Sequence, residues 1–392
     1  MKKILLGSTA LVAAGLIAGD AAAADGVKLS LGGYYRGAAG VAFDDFDGAL
    51  AGLEDDLRNY VFKQDVEVHF SGETTLDNGL KIGAVIQLEG QTSGDQIDEV
   101  YAFFSGGWGE IRFGDDDEAL TAMCSITPSA AANFGADSPF FNFGNAAAGA
   151  TGLFAGATGA GAYGATNGTC FGVDGDSTKV IYFSPNFGGF SFAASFTPDN
   201  TQDTRNTTNG AATRFENNVG QNSENVSIAA NFNHDFNGVT LNTGGGATWS
   251  FDREGAPGVD EVQDYQAYAS VSFFGFTIGG ASEWRYNFGA DESDRFVYGV
   301  GITYNWDAWT VGLGWTHGDY ELVQPGGTLL GNALTSDADN NMEVFSLTAA
   351  YALGPGITVD GVVEFIDSDT DAGASSNDYQ GISFGIGTLI SF

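Results

Sequence analysis

Apolar and weakly polar residues alternate in short segments along most of the chain. In VKLSLGGYYR, Val27, Leu29, Leu31, Gly33 and Tyr35 share one face, opposite Lys28, Ser30, Tyr34 and Arg36. In VFKQDVEVHFSG, Phe62, Val66, Val68 and Phe70 oppose Lys63, Asp65, Glu67 and His69. The closing ISFGIGTLISF sets Ile382, Phe384, Ile386, Thr388 and Ile390 on one face and ends on Phe392. Alternation at period two is the mark of a β-strand; no segment repeats at the helical period of 3.6. The pattern predicts sixteen strands, at about 27–37, 60–71, 80–90, 97–105, 109–115, 177–184, 189–197, 223–233, 239–249, 263–273, 276–286, 295–305, 309–317, 341–352, 357–366 and 379–392.

The connections alternate in length. Short turns at 77–79, 106–109, 185–189, 236–238, 273–276, 305–308 and 354–356 are interleaved with longer acidic, Asn- and Gly-rich stretches at 43–59, 198–222, 252–261, 287–294, 317–340 and 367–378. Tight turns at one end and long loops at the other are the layout of an all-β transmembrane barrel with an even number of antiparallel strands. A soluble sandwich also alternates, but its second face carries many charges. Here that face is small or weakly polar, and aromatics gather near segment ends as an interfacial girdle would. A closed barrel satisfies every backbone group within hydrocarbon. The last strand must then pair with the first, which makes Phe392 part of the barrel closure.

Composition agrees. The 392 residues include 59 Gly, 7 Pro, 31 Phe, 14 Tyr and 6 Trp, and so much glycine disfavours long helices. The opening MKKILLGSTALVAAGLIAGD followed by alanines reads as a signal peptide cut after Ala24. Residues 1–24 are thus expected to be leader and 25–392 the barrel, with no later apolar run of helix-spanning length. Removing Lys2, Lys3 and Asp20 from 14 basic and 50 acidic residues leaves 12 and 49, a formal charge of −37. That sign excludes nucleic acid as a partner.

Taken with this layout, YAFFSGGWGEIRFGDDD (101–117), TKVIYFSPNFGGFSFAASFTP (178–198) and GISFGIGTLISF resemble a general bacterial outer-membrane porin of the Gram-negative family, alphaproteobacterial type. The resemblance implies a homotrimer of water-filled channels in the outer membrane of a Gram-negative bacterium. It also implies contact with lipid and lipopolysaccharide, and reading of a C-terminal Phe, here Phe392, by the barrel-assembly machinery. It further implies a third outer loop folded inward to narrow each pore. The stretch at about 116–176 is the longest gap between strands; it is Ala/Gly-rich, low in charge and carries several Phe. Such a segment suits a lumen better than water, although a surface loop is the alternative.

Chemistry-bearing residues are few. Alternation directs Lys28, Arg36, Lys63, Lys81, Arg112 and Lys179 to the lumen, with snorkelling at strand ends as the plainer reading. In the family, acids on the inward loop face wall bases; the matching run is Asp115, Asp116, Asp117 and Glu118. Cys124 and Cys170 bracket the long segment and suggest a disulfide staple in an oxidising compartment. Asp44, Asp45, Asp47, Glu54, Asp55 and Asp56 read first as solvating loop charge and second as hard oxygen ligands for a structural Ca²⁺. His69, His234 and His317 are far apart, and no serine is marked by a nucleophile elbow. The expected function is passive, cation-preferring diffusion of small hydrophilic solutes, without catalysis or cofactor. A substrate-specific pore is the first alternative, an outer-membrane enzyme or adhesin the second.

Overall fold

The computed structural model describes residues 26–48, 58–90, 97–137, 168–199, 223–252, 261–287, 294–322, 328–329, 332–333, 338–371 and 377–392. The leader, 1–24, lies outside the described residues. The strands run β1 (Lys28–Gly48), β2 (Tyr60–Thr75), β3 (Lys81–Glu89), β4 (Ile97–Gly106), β5 (Gly109–Asp115), β6 (Thr178–Phe183), β7 (Phe190–Asp199), β8 (Ser223–Asp235) and β9 (Val239–Asp252). They continue as β10 (Gln263–Phe273), β11 (Phe276–Tyr286), β12 (Asp294–Trp306), β13 (Trp309–Leu322), β16 (Ala338–Gly354), β17 (Ile357–Asp371) and β18 (Asn377–Ser391). These sixteen form one closed antiparallel barrel. β14 (Thr328–Leu329) and β15 (Asn332–Ala333) make a small separate hairpin, which the sequence reading placed in the loop at 317–340. One short helix, α1 (Ala119–Met123), follows β5.

The short turns bring the backbone round sharply. At Phe236–Val239 and Phe273–Phe276 both central residues take positive φ: Asn237 59° and Gly238 91°, Phe274 49° and Gly275 85°. This twist matches that of the strands being joined. Phe274, 91% exposed, projects from its turn.

Large apolar side chains point outward around the barrel, among them Phe62, Val300, Leu313, Leu347 and Ile386. In hydrocarbon this costs nothing and spares the lumen. A spanning strand needs about 9–11 residues. β1 has 21 and β16 has 17, whereas β5 and β6 have 7 and 6. The wall is therefore low around β5–β6 and tall around β16–β1.

The tall strands correct the reading of 43–59, 317–340 and 367–378 as loop throughout. Residues 43–48, 317–322, 338–340 and 367–371 belong to the ladder. Past the hydrocarbon the polarity of the faces inverts: Phe46 is buried inward while Asp45 and Asp47 are exposed outward.

The barrel closes where β1 meets β18, in register from Tyr34–Ser391 to Gly48–Asn377. One step beyond, Gly33 and Phe392 exchange both backbone hydrogen bonds, each 3.0 Å. Gly33 adopts φ 147°, and a Cβ there would run into the Glu67 carbonyl oxygen. Only glycine suits that crossing.

Candidate functional site

The lumen is partly filled by the segment between β5 and β6, whose described parts are 116–137 and 168–177. The outbound limb follows the wall from β7 round to β17. Ala119 N donates to Ser195 Oγ at 3.0 Å and Leu120 N to Ser227 Oγ at 2.9 Å. Ala130 N reaches Thr348 Oγ1 at 3.1 Å, Ala136 N reaches Ser346 Oγ at 3.0 Å, and Asn133 binds both carboxylate oxygens of Asp360 at 3.0 Å. Phe134 packs, fully buried, with Ala38, Ala42 and Val362.

The return limb retraces part of this path. Gly168 O and Phe171 O accept from Arg295 and Arg285 at 2.5 and 2.8 Å. Asp137 ties the limbs together, accepting from Thr127 N at 2.7 Å and from Thr169 N and Oγ1 at 2.8 Å. In these described parts the segment folds inward. Residues 138–167 lie outside the described residues. Cys124, which follows α1, is bonded to Cys170 on the return limb, with Cα atoms 5.9 Å apart and a sequence separation of 46.

The described loop contacts gather on β7–β17 and at Ala38 and Ala42 of β1, and we take the side of the lumen along the inward faces of β1–β6 as the open path. On β1–β2, Tyr34 donates to Glu67 and, at 3.1 Å, to Asp65. Arg36 lies 3.8 Å from Asp65 and stacks 4.4 Å over the Tyr34 ring. His69 Nε2 is 2.8 Å from Glu67, and Lys63 is within electrostatic reach of the buried Glu364. On β3–β4, Gln87 donates to Glu99.

The predicted wall bases separate into three groups. Arg36 and Lys63 lie on the open path. Lys81 pairs with Glu73 at 2.5 Å, and Lys28 is in register with Glu73, so both sit by the short turn at 76–80. Arg112 and Lys179 hold the root of the loop. Arg112 lies between the rings of Tyr101 and Phe183, at 4.8 and 4.7 Å, and donates to Glu110 at 2.8 Å and Asp116 at 3.2 Å. Lys179, fully buried, donates to Asp116 O and, at 2.9 Å, to Gly175 O, and lies 3.5 Å from Asp174.

The acidic run separates in the same way. Asp115 is buried and accepts from Thr178. Asp116 is bound by Arg112. Glu118 points behind the loop, accepting from Thr248 Oγ1 and Val173 N, both at 3.1 Å. Burial, with the Asp174 and Asp264 charges, raises Glu118 well above the ordinary carboxylate range. Asp117 faces the acids Asp116, Asp174 and Asp98. Burial, then the Asp116 charge, pushes it to about 6. Asp176, at the end of the return limb, is pushed to about 6 by burial and by Asp117. Asp98 and Glu99 at the head of β4 interact electrostatically with Asp176.

Asp98, Glu99 and Asp176 were not singled out from sequence, nor were Asp264, Glu283, Arg285 and Arg295 behind the loop. Alternation could have placed Glu99 and Arg295 inward. Asp98 lies at a register shift between β3 and β4, which breaks the alternation rule.

Of the candidate calcium ligands, the three described ones do not converge. Asp44 turns inward and accepts from Tyr379 at 2.7 Å, whereas Asp45 and Asp47 turn outward. Glu54, Asp55 and Asp56 lie outside the described residues. Among the described residues, no group of three or more His, Cys, Asp or Glu is placed to hold a metal. His317 sits 3.1 Å from Asp319 and 3.5 Å from Glu343, and His234 against Phe236.

The pattern of the family described as Gram-negative porin matches residues 7–371. Solved structures share the fold at low identity. OmpT of Vibrio cholerae in its trimer form is 14% identical with a TM-score of 0.58, covering 94% of this chain and 100% of its own. A structure described as porin refined at 1.8 Å resolution is 17% identical with a TM-score of 0.54 over 93% and 100%. An anion-selective porin from Comamonas acidovorans is 15% identical with a TM-score of 0.55 over 93% and 100%. No curated protein matches the chain by sequence.

Proposed function

Since the chain belongs to the Gram-negative porin family, and is an outer-membrane diffusion channel, we propose that its channel prefers cations and passes small hydrophilic solutes without a cofactor. The observation carrying this is the charge left on the open path. Asp117 and Asp176, the acids there that stay mostly ionised at neutral pH, face each other, while Arg112 and Lys179 are taken up by the loop root. In a narrow path with low-dielectric walls, such a field concentrates cations.

Fold does not set the sign: the Comamonas porin is anion-selective. Selectivity belongs to the lumen side chains. As in the trimer form of OmpT, we take the working unit to be a homotrimer.

Reversal potentials in a planar bilayer under a KCl gradient test the reading. Cation preference should be strong in dilute salt, where the Debye length is about 30 Å at 0.01 M, and should shrink as it falls to about 3 Å at 1 M. A channel favouring chloride in dilute salt overturns the proposal.

A further inference from the structure

Arg285 and Arg295 are the most deeply buried arginines on the described inward face, at 4% and 0% exposure. Neither lines the water path. Arg285 donates to Asp264 at 2.7 Å and lies 2.8 Å from Glu283; Arg295 lies 2.5 Å from the same Glu283. The two arginines and two carboxylates form one contiguous buried group. The cluster also donates to the loop: Arg285 and Gln266 to Phe171 O, each at 2.8 Å, and Arg295 to Gly168 O at 2.5 Å. Arg295 also stacks 5.1 Å from the Phe171 ring.

Cys170, between these two carbonyls in sequence, is bonded to Cys124. The other end of that bond is itself fixed, because Met123 O accepts from Tyr268 at 3.1 Å and α1 is hydrogen-bonded to Ser195 and Ser227.

We propose that Arg285 and Arg295 are positioning residues which, with the Cys124–Cys170 bridge, form a two-part latch holding the return limb off the open path, so that the limb stays in place when small thiols reduce the bridge and becomes thiol-sensitive only when the arginine part is lost. The wall stands behind the limb, so a released limb can move only toward the water. Both cysteines are half-buried on the lumen side, within reach of a low-molecular-weight thiol. One thiolate attacks a bridge sulfur to give a mixed disulfide and one protein thiolate. A second thiol displaces the other sulfur, leaving two protein thiols and one small-molecule disulfide, a two-electron exchange. Reduction removes the covalent half of the latch and leaves the arginine half. Release requires the bridge and the Arg285 hold on Phe171 O both to go.

This proposal rests on the diffusion-channel reading. Its test is the swelling rate of proteoliposomes in neutral sugars of graded size, which a merely electrostatic role would not move. The proteins are wild type, C124S/C170S, and Asp264→Asn combined with Arg285→Met; the last change removes both partners, since one alone leaves a buried uncompensated charge. Each is measured with and without dithiothreitol, and thiol alkylation on the folded protein reports reduction.

Wild type should keep its rate on reduction, as should the oxidised charge-pair variant. The reduced charge-pair variant should lose several-fold of its rate for the largest permeant sugar. Gln266→Ala, which leaves the buried charges intact, should give a smaller loss in the same direction when combined with C124S/C170S. Unchanged swelling in the reduced charge-pair variant overturns the latch. So does full loss on reducing wild type, which would leave the arginines no part, and so does a bridge that cannot be reduced in the folded protein. A wild type that conducts nothing in any state defeats the channel reading instead.

Discussion

Deleting Phe392 separates the backbone contribution of the barrel seam from that of the side chain. The deletion leaves Gly33 N–H and C=O without the partners they meet at 3.0 Å. Each shielded backbone group left unpaired costs about 1–3 kcal/mol, so the two together cost about 2–6 kcal/mol. Phe392→Ala keeps both bonds and removes only a ring that is 60% exposed on the lipid side. Folding purified protein from urea into detergent bypasses cellular assembly, so the urea midpoint reports the seam itself. With an m value of roughly 2–3 kcal/mol/M, the deletion should lower the midpoint by about 0.7–3 M, and the alanine variant should lower it much less. Gly33→Ala should resemble the deletion, because φ 147° and the Glu67 carbonyl both oppose a side chain and such strain costs about 1–3 kcal/mol. Equal midpoints for the deletion and the alanine variant would refute the claim that the Gly33–Phe392 ladder closes the barrel.

Acid should weaken cation preference. Asp117 and Asp176, both held near 6, are ionised about ten to one at pH 7 and about one to ten at pH 5, so the reversal potential should fall across that interval; a flat profile overturns the assignment. The same raised values favour the folded loop in acid, a contribution complete below the ordinary carboxylate range and lost as pH rises through about 6. Asp117→Asn with Asp176→Asn should lower the preference in dilute KCl and leave it unchanged at 1 M, where screening acts over about 3 Å. Glu118→Gln, behind the loop, should leave selectivity nearly unchanged and weaken the loop by about 1–3 kcal/mol, seen as faster protease cleavage within it. Arg112→Gln should likewise act on the loop root, lowering the urea midpoint by the equivalent of about 1.5–3 kcal/mol, rather than simply raising cation preference as a free wall charge would.

Much of the barrel was legible because the membrane imposes a two-sided rule. Phe62 and Lys63 fall on opposite faces whichever strand they pair with, and the sixteen predicted segments overlap the sixteen barrel strands. The rule stops at the bilayer edge. In VAFDDFDG the ladder continues to Gly48, but Phe46 now turns in and Asp45 out, so a pattern tuned to hydrocarbon ends the strand too early. Arg112 shows another limit. Its inward direction was readable, but its two aromatic neighbours and the bend that returns Asp116 to it were not, so it looked like a free pore charge.

The loop's path follows from register, which a single chain does not print. Going round the wall, Ser195 stands opposite Ser227, Ser227 opposite Thr248, Thr248 opposite Asp264, Asp264 opposite Arg285, and Arg285 opposite Arg295. This one belt, running across six strands, receives Ala119, Leu120, Glu118, Phe171 and Gly168. Hydroxyls on it accept from backbone N–H groups and guanidinium groups donate to carbonyls, so the belt satisfies polar backbone that an apolar wall would leave unpaired. The uncovered wall instead carries Arg36, Lys63, Asp65, Glu67 and Glu99, side chains suited to water. Short hydroxyls on β7–β9 and mutually paired, buried charges on β10–β12 are therefore the trace the buried loop leaves in the strands it covers. It becomes readable only once pairing shows that Ser195 and Arg295, a hundred residues apart in sequence, belong to one level of the barrel.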